Sequence, residues 1–148
     1  NLYRDAGDGR FITMALCLLD RREQTVEFAR AGHTELLIHL PGHRLRRIYP
    51  EGAALGLMPE EVAGNFDTLS FSFLPGMSLL LFTDGITEAM NDQGEEFGLE
   101  RLGDCFVASS EQHETTQQAI EHIFHRLDEF SATEHQADDQ TMVIISQA

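Results

Sequence analysis

The chain has 148 residues, the size of one ordinary domain. Ten basic residues, all Arg, stand against 25 acidic ones, a formal net charge of −15 with His neutral, which argues against a nucleic-acid binder or a segment docked on an anionic membrane. The 42% hydrophobic share, with ten Phe, can build a core, and two cysteines, Cys17 and Cys105, are too few for a disulfide framework.

A reducing cytoplasm is therefore the expected compartment, with no secretory pattern at the start and no apolar run near the ~20 residues of a membrane span. The chain does not begin with Met, so it reads as a fragment. Phe11 to Leu19 is apolar on both faces and predicts a central strand covered on both sides. After the polar turn at 20–23, Thr25 to Arg30 alternates with Val26 and Phe28 inward, the second arm of a hairpin. Glu35 to Leu40 and Arg44 to Tyr49 form another pair around Pro41-Gly42-His43. Residues 50–64 carry two Pro and few β-formers and read as loop. Thr68 to Phe73 alternates, with Leu69, Phe71 and Phe73 inward, and Leu79 to Phe82 is a short buried strand.

Past Gly85 the period becomes helical. Leu99, Leu102 and Phe106 lie on one face, and from Thr115 to Phe130 so do Ala119, Ile120, Ile123, Phe124, Leu127 and Phe130. Thr141 to Ile145 returns as a strand. Strands, then helices, then a closing strand indicate an α+β fold with antiparallel pairing.

Two stretches carry candidate chemistry. In Leu79-Leu80-Leu81-Phe82-Thr83-Asp84-Gly85-Ile86-Thr87-Glu88-Ala89 a buried strand ends in a carboxylate, and Gly85 permits close approach to the backbone. Asp84 either serves a site there or caps the following helix. In Asp138-Asp139-Gln140-Thr141 two carboxylates precede another strand; alone, this is equally an Asp-rich turn. If the two strands are neighbours, Asp84 and Asp138 converge, and converging carboxylates repel unless a cation holds them. Oxygen-only ligands select a hard ion, Mg²⁺ or Mn²⁺, and a water on such an ion is a competent nucleophile toward phosphorus.

With these residues in view, the chain resembles the later part of the SpoIIE-type phosphatases, bacterial relatives of the metal-dependent type 2C serine/threonine phosphatases. The resemblance is carried in order by Phe11-Ile12-Thr13, Ala31-Gly32-His33, the glycine loop Gly52 to Gly56, Leu74-Pro75-Gly76-Met77-Ser78, Thr83 to Ala89, Phe97-Gly98-Leu99-Glu100-Arg101-Leu102 and Asp138-Asp139-Gln140-Thr141. It implies a β-sandwich flanked by helices, here one domain over 1–148 with N-terminal strands and helices missing. It implies two Mn²⁺ or Mg²⁺ ions in the complete domain, with Asp84 and Asp138 as catalytic metal ligands. Asp139 then stands beside the ligand, Gly85 opens the approach, and Glu88 matches an acid for a further, weaker metal.

Two departures stand out. Met77 replaces the family's usual Asp, and the upstream Gly-Asp motif is absent; Asp5 and Asp8 read as loop residues. The implied activity is hydrolysis of phosphoserine or phosphothreonine on a regulatory protein of the anti-sigma-factor antagonist type. An upstream sensor or receiver domain is implied in the parent protein, and the fragment alone is expected to be inactive. The alternative is a catalytically inactive adaptor of the same fold. A third possibility, an unrelated metal-binding module, would use His122 and His125, although their spacing also fits a solvated helix face. His33 reads as a turn residue, Arg44, Arg46 and Arg47 as an exposed strand face, and both cysteines as core.

Overall fold

The computed structural model describes residues 10–59, 64–112, 115–131 and 138–147. Asp5 and Asp8 lie outside these residues. The chain divides into two compact units, Asn1–Glu35 with Ile48–Leu74, and Leu36–Arg47 with Pro75–Ala148.

The first unit is built on an antiparallel sheet of β1 (Met14–Asp20), β2 (Thr25–Ala31) and β5 (Thr68–Ser72), in the order β1-β2-β5. The hairpin register runs from Met14 opposite Ala31 to Asp20 opposite Thr25. Its turn is fixed by Asp20, whose Oδ1 accepts the backbone N–H groups of Arg22 at 2.8 Å and Glu23 at 3.0 Å. Val26 and Phe28 are fully buried.

The expectation of a doubly covered first strand is corrected here. Among the described residues β1 pairs only with β2, and Met14, Leu16 and Leu18 are exposed while Ala15, Cys17 and Leu19 are half-buried. The apolar side chains on both faces were correctly read, but covering the second face requires an element that the described residues do not supply. Leu69 also departs from expectation: it lies opposite Phe28 on the inward face, yet 42% of it is exposed, because β5 is the other edge of the sheet.

The second unit carries a four-stranded antiparallel sheet, ordered β4-β3-β6-β7, from β3 (Leu36–Leu40), β4 (Arg44–Ile48), β6 (Ser78–Phe82) and β7 (Met142–Ser146). Three helices accompany it: the single turn α1 (Asp84–Thr87), α2 (Gly98–Glu111) and α3 (Thr116–Ser131). Thr115 starts α3 with a reciprocal cap. Its Oγ1 accepts the Gln118 N–H at 3.2 Å while Gln118 Oε1 accepts the Thr115 N–H at 3.0 Å. The helical stripes read from the sequence form one core, in which Leu102 and Phe106 of α2 and Ile123 and Leu127 of α3 pack with Leu37, Leu80 and Phe82. Apart from β1, which begins at Met14 rather than Phe11, the strands and α3 fall within one residue of their expected bounds; α2 runs beyond the expected stripe to Glu111, and every described pairing between strands is antiparallel.

A polar cluster ties the β3–β4 turn to the end of α2. Gly42 and His43 both have positive φ, 85° and 59°, which bends the hairpin tightly. His43 Nδ1–H donates to Glu111 Oε2 at 2.8 Å, and the buried His39 holds its Nε2 at 3.6 Å from Glu111 Oε1, its ring edge-on to Phe106. The bond from His43 is the main cause that lowers the Glu111 pKa below the ordinary carboxylate range. A lowered folded-state value means that the unfolded chain takes up the proton first. The stabilisation is therefore full above the unfolded Glu value of about 4.3 and is lost as pH falls through the folded one. Urea midpoints measured from pH 6 to pH 3 should fall more steeply for the wild type than for Glu111→Gln. Parallel curves would remove this role from Glu111.

Candidate functional site

The pairing of β6 with β7 brings the two candidate stretches together. Their ladder ends with Phe82 opposite Met142. One residue further the Thr83 N–H donates to Thr141 O at 3.0 Å, and the Thr141 N–H donates to Thr83 Oγ1 at 2.9 Å. The Thr83 hydroxyl donates in turn to Asp139 O at 2.8 Å. A strand end that would otherwise fray is thus stitched to the loop carrying Asp138 and Asp139.

Asp84 follows as the first residue of α1 and is exposed. Its backbone O accepts the Thr87 hydroxyl at 3.1 Å and the Glu88 N–H at 2.8 Å, so the backbone at this position is fixed. The alternative role as a helix cap is only weakly met. The residue before the helix is Thr83, which makes no side-chain cap bond, and among the described residues Asp84 Oδ1 accepts just the adjacent Gly85 N–H, at 3.1 Å. Asp138 is likewise exposed and its Oδ1 accepts the Asp139 N–H at 2.7 Å.

Gly85 is buried between the two stretches. A Cβ placed on it would lie 2.7 Å from Asp139 O and 3.3 Å from the Asp138 carbonyl carbon, so only glycine allows the backbones to meet this closely. Gln140 adds a second tie, donating from Nε2 to Gly85 O at 3.3 Å. Asp139 and Glu88 are both exposed.

The carboxylates of Asp84 and Asp138 are the right kind of donor for a hard divalent ion, being oxygen ligands on the exposed rim of a fixed backbone. Among the described residues no group of three or more His, Cys, Asp or Glu side chains converges as a metal site. The two side chains thus match such an ion in donor chemistry. His122 and His125 belong to no such group either; His125 is exposed and pairs with Glu129 at 3.5 Å.

The remaining candidates have structural settings. Met77 is buried, and its backbone O accepts the Gln147 N–H at 2.9 Å, so it holds the turn into β6. His33 Nδ1 is bonded to Thr13 Oγ1 at 3.2 Å, and the residue next to its turn, Arg30, is buried over the Tyr49 ring with its Nε donating to Pro50 O at 2.8 Å. Arg44 and Arg46 are exposed, as read from the sequence. Cys17 and Cys105 are free thiols, only half-buried, and burial raises both pKa values, which leaves them poor nucleophiles. The parts missed in the sequence are the Thr83 and Gln140 ties. A hydroxyl just before Asp-Gly was visible, but its partners lie more than fifty positions away.

A family model described as Stage II sporulation protein E (SpoIIE) matches residues 1–147. The chain belongs to the SpoIIE family. Among curated relatives of this SpoIIE-family chain, Protein IcfG of Synechocystis sp. is 29% identical over 99 residues, 67% of this chain and 15% of that protein. Among solved structures, the SiaA-PP2C domain of Pseudomonas aeruginosa superposes with a TM-score of 0.78 at 23% identity, over 90% of this chain and 51% of that one. The manganese-presoaked phosphatase domain of SpoIIE from Bacillus subtilis gives 0.62 at 17% identity, over 91% and 56%. The α+β fold with antiparallel sheets is thus that of the PP2C-like phosphatase domains. The chain spans about half the length of these structures.

Proposed function

We propose that this chain is the later part of a metal-dependent protein phosphatase domain that hydrolyses phosphoserine or phosphothreonine on a regulatory protein. The observation that carries this reading is the close approach of the Asp84-Gly85 backbone to Asp138-Asp139 at the shared end of β6 and β7. Membership of the SpoIIE family and the phosphatase fold support it.

In this reading Asp84 and Asp138 bind Mn²⁺ or Mg²⁺; the manganese soak of the SpoIIE domain favours the same ion type. Such an ion supplies a water of lowered pKa and stabilises charge on the phosphoryl group. The chain's own contribution is to hold carboxylate oxygens on a rigid strand end. Asp139 adds negative potential beside them, and Gly85 keeps the two backbones in contact. Glu88, one turn after Asp84, is placed to attract a further, weaker cation. The substrate is proposed to be an anti-sigma-factor antagonist type of protein, and the protein to act in the cytoplasm downstream of a sensor or receiver domain. Among the described residues no helix is long and apolar enough to cross a membrane.

The competing reading, an inactive adaptor, has Met77 in place of the family's usual Asp in its favour. Its burial in a turn makes that substitution a packing matter. The test is phosphate release from a phosphoserine-bearing protein by the full-length protein. The proposal expects activity with Mn²⁺, loss on chelation and recovery on adding Mn²⁺ back. Partner binding without turnover under all three conditions would establish the adaptor instead.

A further inference from the structure

We propose that Thr83 is a positioning residue whose hydroxyl sets divalent-ion affinity by fixing the Asp138-Asp139 loop against Asp84. This rests on the reading of Asp84 and Asp138 as metal ligands. Thr83 is the last residue before Asp84, and its side chain bonds to the opposite loop on both sides of Gln140. It accepts the Thr141 N–H at 2.9 Å and donates to Asp139 O at 2.8 Å.

The residue is thus both the end of the β6–β7 pairing and the anchor of the loop beyond it. Its β-branched side chain has restricted χ1 freedom, so the hydroxyl is held toward the loop at small entropic cost. Without that hydroxyl, Asp139 O and the Thr141 N–H lose this partner, and what remains is the backbone bond from Thr83 N–H to Thr141 O at 3.0 Å and the longer Gln140 tie to Gly85 O at 3.3 Å. The loop before Thr141 is then held less tightly, and the spacing of the two carboxylates with it. A hard ion bound by few protein ligands is sensitive to that spacing, and groups that orient ligands from behind typically control affinity by 10- to 100-fold.

The experiment is isothermal titration of the full-length protein with Mn²⁺ alone, beside thermal melts without metal. Thr83→Val keeps the shape and removes the hydroxyl, and its Mn²⁺ dissociation constant is expected to rise by about tenfold or more. Thr83→Ser restores the hydroxyl and is expected to bind close to wild type. If Thr83→Val does not fold, Thr83→Ala removes the same hydroxyl and is expected to raise the dissociation constant likewise. Wild-type affinity in folded Thr83→Val, or in Thr83→Ala where it replaces it, overturns the proposal. Asp84→Asn separates the two claims. If it abolishes Mn²⁺ binding while Thr83→Val binds as wild type, the site stands and the role of Thr83 falls. If Asp84→Asn binds Mn²⁺ unchanged, the site reading and the proposal fall together.

Discussion

Asp84→Asn and Asp138→Asn are each expected to lower Mn²⁺-dependent phosphate release by the full-length protein by about 10²-fold or more, the scale of losing one preorganised charge-stabilising group. Neither change should cost stability in the absence of metal. Both side chains are exposed, so neither change removes buried packing. The metal-free melting temperature is therefore expected to stay close to that of the wild type. Asp128→Asn, an exposed change on α3, provides the control and should alter neither quantity. Activity loss accompanied by an equal loss of fold in the Asp84 and Asp138 variants would instead assign these residues to structure.

Gly85→Ala is expected to damage both fold and activity. Its new methyl would meet backbone rather than a yielding side chain, at 2.7 Å from Asp139 O and 3.2 Å from the Asp139 carbonyl carbon. The two segments must separate, and overpacking of this kind costs about 1–3 kcal/mol. Separation strains the Thr83 bond to Asp139 O and moves Asp138 away from Asp84. A melt and a Mn²⁺ titration on the same sample check this. A Gly85→Ala protein with wild-type melting temperature and wild-type affinity would show that the close approach of the two segments is not required.

Much of this architecture was legible in the sequence because it is encoded locally. Period-two alternation marked Thr25 to Arg30, period-3.6 apolar spacing marked α3, and Pro41-Gly42 marked a hairpin turn, each through nearest-neighbour sterics and one-sided burial. The adjacency of the Asp84 and Asp138 stretches was inferred from two strand ends, and the β6–β7 register brings the stretches together. Exposure was less legible. Leu16, Leu18 and Leu69 are apolar at regular positions, yet burial depends on what lies across the sheet and on distance from its edge, which periodicity does not record. The bond between His43 and Glu111 spans 68 positions and that between Thr83 and Asp139 spans 56, so neither leaves a local trace.

The central claim is that Asp84 and Asp138 hold one divalent centre. Anomalous X-ray diffraction from crystals of the full-length protein soaked in Mn²⁺ tests it most directly. The account predicts a manganese peak within roughly 2.0–2.6 Å of a carboxylate oxygen from each of the two residues, the range of oxygen ligands to hard divalent ions. A bound manganese that touches neither Asp84 nor Asp138 would contradict it.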